Sequence, residues 1–457
     1  MMVDRQIISE ALSKQISWLQ TWKTKNGAYN GYVVHRFGLK RMFKIHDTPW
    51  SQGPIINGYL NLYQKTKYDK WLKGAIQAAD LQCKRLHKTG KYIYAGFEDD
   101  RFSSLVHNSL ANCALLDLAK VLIDEGNNEK AQMYLNTAKD NIDRYIIGVL
   151  WDEDFGAFKF SEIDYYTPDV IRFVVNMNSV AVESLIKLSS LTSEKIYQDY
   201  AIRVGEWMLT EQNKSFDLED GGINYSQVQP RVLISIYTAL AMRGIDDLYY
   251  LTKDQRYLKM IKNAANHLIN LIDIETKLFY HAIINGELIE YPQFVAGAGI
   301  ILKALDDAER LTGGKVDYQD SLNIILKMQL PNGGFPNFVG YRNENSGENE
   351  VWEDIVPIMG WNAHIFEFLT RMVQEDFLYK PAKFKRCCVV AKNYYYIGDK
   401  RFVLILGTKP IKSLILYFSI KKINIALIYI SVNQLEKLLA HVLPAWIKNV
   451  IKKFVEV

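Results

Sequence analysis

One motif recurs six times along this chain: an amphipathic helix, a polar turn, and a small residue followed by an aromatic one. The motif ends at Tyr29, Phe97, Phe158, Tyr225, Tyr280 and Phe335. A second, more apolar helix follows each end, over residues 53–66, 103–123, 174–191, 231–251, 294–311 and 355–372. One helix pair cannot bury its own apolar face, whereas a closed ring of six pairs can. The repeat therefore predicts an all-α fold, an (α/α)6 barrel with outer and inner helices, in preference to an open helical solenoid.

The loops and small residues of the repeat predict where the parts of the barrel meet. Long polar loops lead from each outer to each inner helix, over residues 24–52, 88–102, 150–170, 213–230, 274–292 and 331–354. They must share one end of the barrel, and long loops on a rigid scaffold are the usual place for a binding site. The small residues of the inner helices are expected to allow close helix approach: Gly53, Ala111, Ala181, Ala239 and Ala296.

Charge divides the chain into two parts. Residues 380–457 hold fifteen Lys and Arg against three Asp and Glu, although the whole chain carries a net charge of only +4. We therefore predict a barrel over residues 1–378 and a short basic α+β extension over residues 379–457, with two or three strands and an amphipathic helix. Three interpretations of the extension stay open: a module packed on the barrel, which we favour, a fragment of a βαβ unit, and a peripheral membrane anchor.

Composition also narrows the function classes. The barrel is acidic, which argues against nucleic-acid binding. The four cysteines show no metal-ligand spacing and no disulfide framework, which suits a reducing, cytoplasmic compartment. The N-terminus lacks the apolar segment of a signal peptide, and no apolar run is long enough for a spanning helix. We predict no metal and no cofactor.

The first long loop contains the sequence HDTPWSQG, which offers three candidate substrate contacts. Asp47 is expected to bind or activate a polar substrate, Trp50 to stack on a sugar face, and Gln52 to hydrogen-bond hydroxyl groups. In the structural alternative, Trp50 caps the barrel core and Asp47 begins a turn.

Three successive carboxylates, Glu98, Asp99 and Asp100, precede the second inner helix. Capping of the helix N-terminus explains one or two of them. A general acid or base is the functional alternative, because desolvation beside a like charge raises the pKa of a carboxylate. We choose Asp100 for this role. His107 and Asn108 follow in the same helix and would touch substrate if they face the lumen, whereas a satisfied buried histidine is the structural alternative.

The remaining loops supply further polar candidates. Asp169 follows Pro168 at a helix start, with Arg172, Asn176 and Asn178 behind it. Arg231 is expected to open the fourth inner helix and to pair with a uronate carboxylate. Asp354 precedes the last inner helix, which carries Trp361 and His364. Capping predicts Asp, Ser or Asn at helix starts rather than the Gln and Arg that also recur, so a shared polar mouth is the better interpretation.

The repeat, together with the phrases PWSQGPIINGYLNLYQKTKYDKWLKGA and QLPNGGF, resembles the six-hairpin glycosidase-like superfamily over about residues 5–375. That superfamily includes unsaturated glucuronyl hydrolases, polysaccharide lyases and sugar epimerases. The resemblance implies a glycoside hydrolase-like enzyme that acts on uronate-containing oligo- or polysaccharides. Glucuronyl hydrolases keep two important aspartates in neighbouring hairpins, which implies Asp100 and Asp169 in this sequence.

Other functions stay open. A lyase or epimerase on the same fold would use a Tyr or His to remove the proton next to a uronate carboxylate, with Arg172 or Arg231 neutralising the acid. A non-catalytic carbohydrate-binding or assembly barrel is a third reading. A terpene cyclase is disfavoured, because the segments EDDRF and LDDAER do not match the acidic clusters that such enzymes need.

Overall fold

The computed structural model describes residues 4–37, 40–46, 50–94, 103–162, 172–214, 217, 219–340 and 357–382, and five strands between Cys387 and Asn424. Twelve α-helices alternate between outer and inner positions within these residues. The outer helices are α1 (Arg5–Trp22), α3 (Asp69–Lys84), α5 (Asn128–Asn141), α7 (Ile196–Thr210), α9 (Gln255–Asn270) and α11 (Gln319–Lys327). A π-helix, Ile142–Leu150, continues α5. The inner helices are α2 (Gln52–Thr66), α4 (Leu105–Asp124), α6 (Val175–Thr192), α8 (Ser235–Thr252), α10 (Ala298–Thr312) and α12 (Met359–Met372).

The six inner helices form a closed ring. Each of them packs on the next in chain order, and the last, α12, packs on α2. The outer helices α3, α5, α7 and α9 each pack mainly on the inner helix that precedes them in the chain, and each also contacts the inner helix that follows. Because the contact between α12 and α2 closes the ring, the predicted (α/α)6 barrel is confirmed and the open solenoid is excluded.

Two glycines allow the inner helices to approach closely. A Cβ atom on Gly53 of α2 would lie 2.7 Å from the carbonyl oxygen of Leu110 in α4. A Cβ atom on Gly244 of α8 would overlap the carbonyl oxygen of Ser179 in α6. A side chain at either position would push two helix backbones apart, so these contacts need glycine. The predicted close approach is confirmed at Gly53.

The repeated turn is fixed by a side chain of the inner helix. After an outer helix the chain folds back toward the barrel. We call the residue at which it reaches the barrel again the returning residue. In four units the fourth residue of the next inner helix accepts a hydrogen bond from the amide of that returning residue. The pairs are Asn108 with Tyr92, Asn178 with Phe158, Thr238 with Ile223 and Asn362 with Phe335.

These hydrogen bonds correct the repeat as read from the sequence. The predicted motif ends at Tyr29, Phe158 and Phe335 are returning residues. In the other three units the equivalent residues are Tyr92, Ile223 and Phe279 rather than Phe97, Tyr225 and Tyr280. Turn length differs between units, and the aromatic side chain that follows a small residue is therefore not a reliable marker of the register.

Short strands link the long loops. The pairs are antiparallel: β1 (Gly31–Phe37) with β2 (Lys40–His46), β3 (Trp151–Asp152) with β4 (Ala157–Phe158), β5 (Val232–Ile234) with β6 (Ala282–Ile284), β6 with β7 (Glu287–Ile289), and β8 (Gln293–Phe294) with β9 (Phe338–Val339). The pairs β5–β6 and β8–β9 join loops of different hairpins. Neighbouring loops are therefore tied together at the end of the barrel where the inner helices begin.

The basic extension contributes a five-stranded antiparallel meander. Its strands are β10 (Cys387–Ala391), β11 (Tyr394–Gly398), β12 (Phe402–Gly407), β13 (Leu414–Ile420) and β14 (Ile423–Asn424). The sequence predicted two or three strands here. The predicted amphipathic helix lies outside the described residues, and the domain boundary at residue 378 stays a prediction. None of the described helices is both long enough and apolar enough to cross a membrane.

Candidate functional site

Three of the predicted substrate-binding residues meet at the end of the barrel that carries the long loops. Trp50 lies two residues before α2, while His107 and Trp361 are the third residues of α4 and α12. The Trp50 ring stacks on the His107 ring, with centroids 5.5 Å apart and an angle of 26° between the planes. The Trp50 centroid is also 6.5 Å from that of Trp361. Hairpins one, two and six therefore share one aromatic cluster.

The cluster extends across the mouth of the barrel. Trp361 contacts Phe294, Phe338 and His364, with ring centroids 5.8, 6.4 and 6.4 Å away. Trp50 and Trp361 are only partly buried. A partly exposed tryptophan pair provides the flat apolar surface, bordered by a few polar groups, that small-molecule sites typically use.

His364 lies one turn beyond Trp361 on α12 and is buried. Burial, assisted by the positive charges of Arg243 and Lys303, lowers the pKa of His364 to about 3. The imidazole is therefore neutral at neutral pH, with one nitrogen able to donate and the other able to accept a hydrogen bond.

A band of charged side chains crosses the lumen below His364. Arg243 of α8 donates two hydrogen bonds to Glu183 of α6, at 2.6 and 2.9 Å, and the Lys187 ammonium lies 2.8 Å from the same carboxylate. Burial alone would raise the pKa of Glu183, but the charges of Arg243 and Lys187 outweigh it and hold that pKa well below its usual range. Glu367 of α12 is also buried, and its burial raises its pKa despite the nearby cations.

Four predicted site residues lie outside the described part of the chain: Asp47, Asp100, Asp169 and Asp354. The segments that lead to Asp100 and Asp169 are described. The Phe160 amide donates to the Arg172 carbonyl oxygen at 2.7 Å, and the Phe160 carbonyl oxygen accepts from the Leu105 amide at 2.9 Å. The chain just before α4 and the chain just before α6 are therefore both held against Phe160, and we call these two hydrogen bonds the Phe160 anchor.

Comparison with known proteins finds solved structures that share this architecture. No protein-family model matches the chain, and no curated protein matches it. A cellobiose 2-epimerase from Bacillus thermoamylovorans superposes with a TM-score of 0.61 and 13% identity, covering 80% of this chain and 100% of the epimerase. An unsaturated glucuronyl hydrolase specific for heparin has a TM-score of 0.55 and 13% identity, covering 80% and 96%. A family 76 mannosidase from Bacteroides thetaiotaomicron has a TM-score of 0.53 and 16% identity, covering 80% and 97%.

The chain has the six-hairpin toroid fold. At 13–16% identity the similarity defines the architecture, and the chemistry must be argued from the residues of this toroid.

The remaining predicted substrate contacts, Gln52, Arg172 and Arg231, lie in three different surroundings. Gln52 is fully buried and its side-chain amide donates to the Gly27 carbonyl oxygen at 3.4 Å, so it packs hairpin one. Arg172 is exposed beside the Phe160 anchor. Arg231 does not open α8 as predicted, because strand β5 lies between them, and its guanidinium is 2.8 Å from Glu219.

Sequence reasoning missed the charged band of the six-hairpin toroid. Its members are Glu183, Lys187, Arg243, Lys303 and Glu367. A charged residue inside an otherwise apolar helix is the signal that marks them, and the spacing of Glu183 and Lys187 is that of a helical ion pair. Asn108 and Asn178, in contrast, bind backbone atoms and do not line the lumen. Among the described residues no group of three or more His, Cys, Asp or Glu could hold a metal ion.

Proposed function

We propose that this six-hairpin toroid is a carbohydrate-processing enzyme of the glycoside hydrolase type. In this proposal the sugar lies over Trp50 and Trp361, and Asp100 and Asp169 form the catalytic carboxylate pair. The observation that carries it is the Phe160 anchor, which joins the segments that lead to the two aspartates.

The anchor limits how far the two carboxylates can be from the sugar site. Asp100 lies three residues before Ser103, and Asp169 lies three residues before Arg172. Three residues span at most about 10 Å of extended chain. His107, whose ring packs on Trp50, follows Ser103 by four residues. A sugar on the tryptophan pair is therefore within reach of both segments.

A carboxylate pair at this place suits glycosidic bond cleavage. One carboxylic acid would protonate the leaving oxygen, or an enol ether double bond in an unsaturated sugar, and the other would activate water. The exposed guanidinium of Arg172 would neutralise the carboxylate of a uronate. Further support comes from the solved structures of the same fold, since a glucuronyl hydrolase, a mannosidase and a cellobiose epimerase all act on sugars.

The test compares aspartate variants on uronate oligosaccharides. Unsaturated and saturated oligosaccharides are incubated with wild type, Asp100→Asn and Asp169→Asn, and new reducing ends are measured. We expect each variant to lose activity by at least about 10²-fold. Asp154→Asn is the matched control, because Asp154 is an exposed carboxylate on the neighbouring β3–β4 turn.

The outcomes separate the competing functions. Full activity in both Asp100→Asn and Asp169→Asn would remove the carboxylate pair from the mechanism. Saturable oligosaccharide binding without any turnover by wild type would instead identify a binding barrel.

An epimerase or isomerase is the second candidate, favoured by one specific observation. His107 and His364 border the same tryptophan pair, and His364 stays neutral because its pKa is lowered to about 3. Two histidines on one sugar can remove a proton from carbon and return it. Deuterium incorporation from D2O into cellobiose or mannose, lost in His364→Gln, is the expected result if this candidate is right. Unlabelled sugars with wild type would exclude it for these substrates.

A cytoplasmic location and peripheral membrane contact by the basic extension are separate proposals. Supporting the second is the excess of Lys and Arg after residue 380, which suits an anionic lipid surface. Flotation with anionic liposomes is expected for the full chain and not for a chain that ends near residue 380. Equal flotation of both proteins would rule out the anchor.

A further inference from the structure

A cavity opens at the opposite end of the lumen from the long loops. It has a volume of about 450 Å³ and is lined by residues from the middle and the C-terminal turns of all six inner helices. Sites for small molecules typically have volumes of roughly 300–1,000 Å³. The cavity is therefore large enough for a compact ligand, at a place that the proposed sugar site does not use.

The cations inside this cavity are already neutralised. Their partners are carboxylates at 2.5–3.0 Å. Lys187 pairs with Asp117 and Arg243 with Glu183 across neighbouring helices, whereas Lys303 pairs with Asp307, and Arg310 with Asp306 and Asp307, within α10. Arg371 also contacts Asp307. Lys120, the remaining lining cation, is exposed at the rim.

Several acceptor groups of the cavity, in contrast, have no donor. The carboxylates of Asp246, Asp247 and Glu367 have no hydrogen bond or ion pair with any residue that the structure describes. Glu367 is only 3% exposed, and it lines this cavity. The Oδ1 atoms of Asn57 and Asp246 are also buried, with no hydrogen-bond partner in the described part of the chain. A buried acceptor without a donor is costly, and here several of them line one space.

The pKa values of Asp246 and Asp247 agree with a deficit of positive charge around these two carboxylates. Burial, with the added repulsion of Asp307, raises the pKa of Asp246 to about 7. Burial and the Glu183 carboxylate raise the pKa of Asp247 to about 8. The charged groups that face them from the adjacent helices are Asp117, Glu183, Lys187, Lys303, Asp307 and Arg310. Lys187, Lys303 and Arg310 act to lower these two pKa values, but burial and the neighbouring carboxylates outweigh them.

We propose that this cavity binds a small organic cation, an amine or polyamine, whose ammonium groups donate to Asp246, Asp247, Glu367 and Asn57. An ammonium group carries three N–H donors, which matches the carboxylate oxygens without a donor that line this cavity. Hydrogen bonds between ammonium and carboxylate are charge-assisted and stronger than neutral ones. A metal ion suits the site less well, because the described residues include no metal-ligand group.

Calorimetric titration of the full-length protein with spermidine and putrescine tests the proposal. We expect saturable binding of both amines and none of butane-1,4-diol, which has a similar length but no charge. Binding should tighten from about pH 6 to about pH 9, with proton release, because the ligand needs ionised carboxylates. Absence of saturable binding at millimolar amine, or equal binding of the neutral diol, would overturn the proposal.

Isosteric variants locate the site. Asp247→Asn and Glu367→Gln are each expected to raise the Kd for spermidine at least ten-fold, and Asp246→Asn is a further variant in case one of them fails to fold. Glu129→Gln removes an exposed carboxylate outside the cavity and should leave the Kd unchanged. Unchanged affinity in folded cavity variants would refute the site. Asp100→Asn should bind spermidine normally, so a failure of the sugar proposal would not affect this result.

Discussion

The side-chain amide of Asn178 holds both backbone polar groups of Phe158: it accepts from the Phe158 amide at 2.9 Å and donates to the Phe158 carbonyl oxygen at 2.8 Å. Asn362 holds Phe335 in the same way, at 2.7 and 2.9 Å. Each hydrogen-bonded pair fixes the turn after an outer helix to the start of the next inner helix. The toroid thereby positions the long loops around its mouth.

Replacement of Asn178 by alanine is expected to lower the free energy of unfolding by about 2 kcal/mol or more, because two buried backbone groups lose their partner. Urea unfolding measures the change. Asn136→Ala, an exposed asparagine on α5, should change the stability by less than about 0.5 kcal/mol. Equal effects of the two substitutions would contradict a structural role for Asn178.

The buried pair of Glu183 and Arg243 predicts a strongly non-additive double substitution. Arg243→Met leaves a buried carboxylate without its bidentate partner and should cost about 3–5 kcal/mol. Glu183→Gln combined with Arg243→Met should recover part of that loss, because the uncompensated charge is gone. Thermal or urea unfolding of the single and double variants gives the coupling free energy. Strictly additive losses would show that the pair does not act as a unit.

The low pKa of His364 predicts how stability depends on acid. Its pKa is about 3 in the folded chain and ordinarily 6.5, so the unfolded chain binds more protons between these values. Stability contributed by neutral His364 is therefore present above pH 6.5 and falls toward pH 3, by up to about 1.4 kcal/mol per pH unit. His364→Gln should lose less stability than wild type between pH 6.5 and 4. Parallel curves of unfolding free energy against pH for the two proteins would argue against the burial of this ring.

Removal of one tryptophan of the pair is expected to weaken substrate binding more than it slows the chemical step. Trp361→Ala should raise the KM for the active saccharide about ten-fold, which corresponds to about 1.4 kcal/mol, with a smaller change in kcat. Trp207→Ala removes a partly buried tryptophan from the outer helix α7 and should leave KM unchanged. A KM that rises equally in both variants would indicate a general loss of packing rather than a sugar contact.

Much of the fold follows from local patterns. The hydrophobic period of each segment gives the alternation of outer and inner helices, and the loop lengths give the end of the barrel at which a site is built. Trp50, His107 and Trp361 meet because all three stand near the starts of neighbouring inner helices. The roles of individual site residues are harder to predict from the sequence. His107 and Asn108 are adjacent in the sequence, but their side chains lie about 100° apart around the helix. One packs on Trp50 and the other binds the Tyr92 backbone.

The six-fold repeat, the closed all-α barrel and the basic extension can all be predicted from the order of the residues, because periodicity and charge are properties of consecutive residues. Tertiary structure alone decided the register of the repeat, which Asn108, Asn178 and Asn362 fix through backbone hydrogen bonds. It also decided that Glu183 pairs with Arg243, while the carboxylates of Glu367 and Asp247 have no hydrogen bond or ion pair with the residues that the structure describes. Such pairing depends on which helix faces cross the lumen, and residues about sixty positions apart carry no local sign of that relationship.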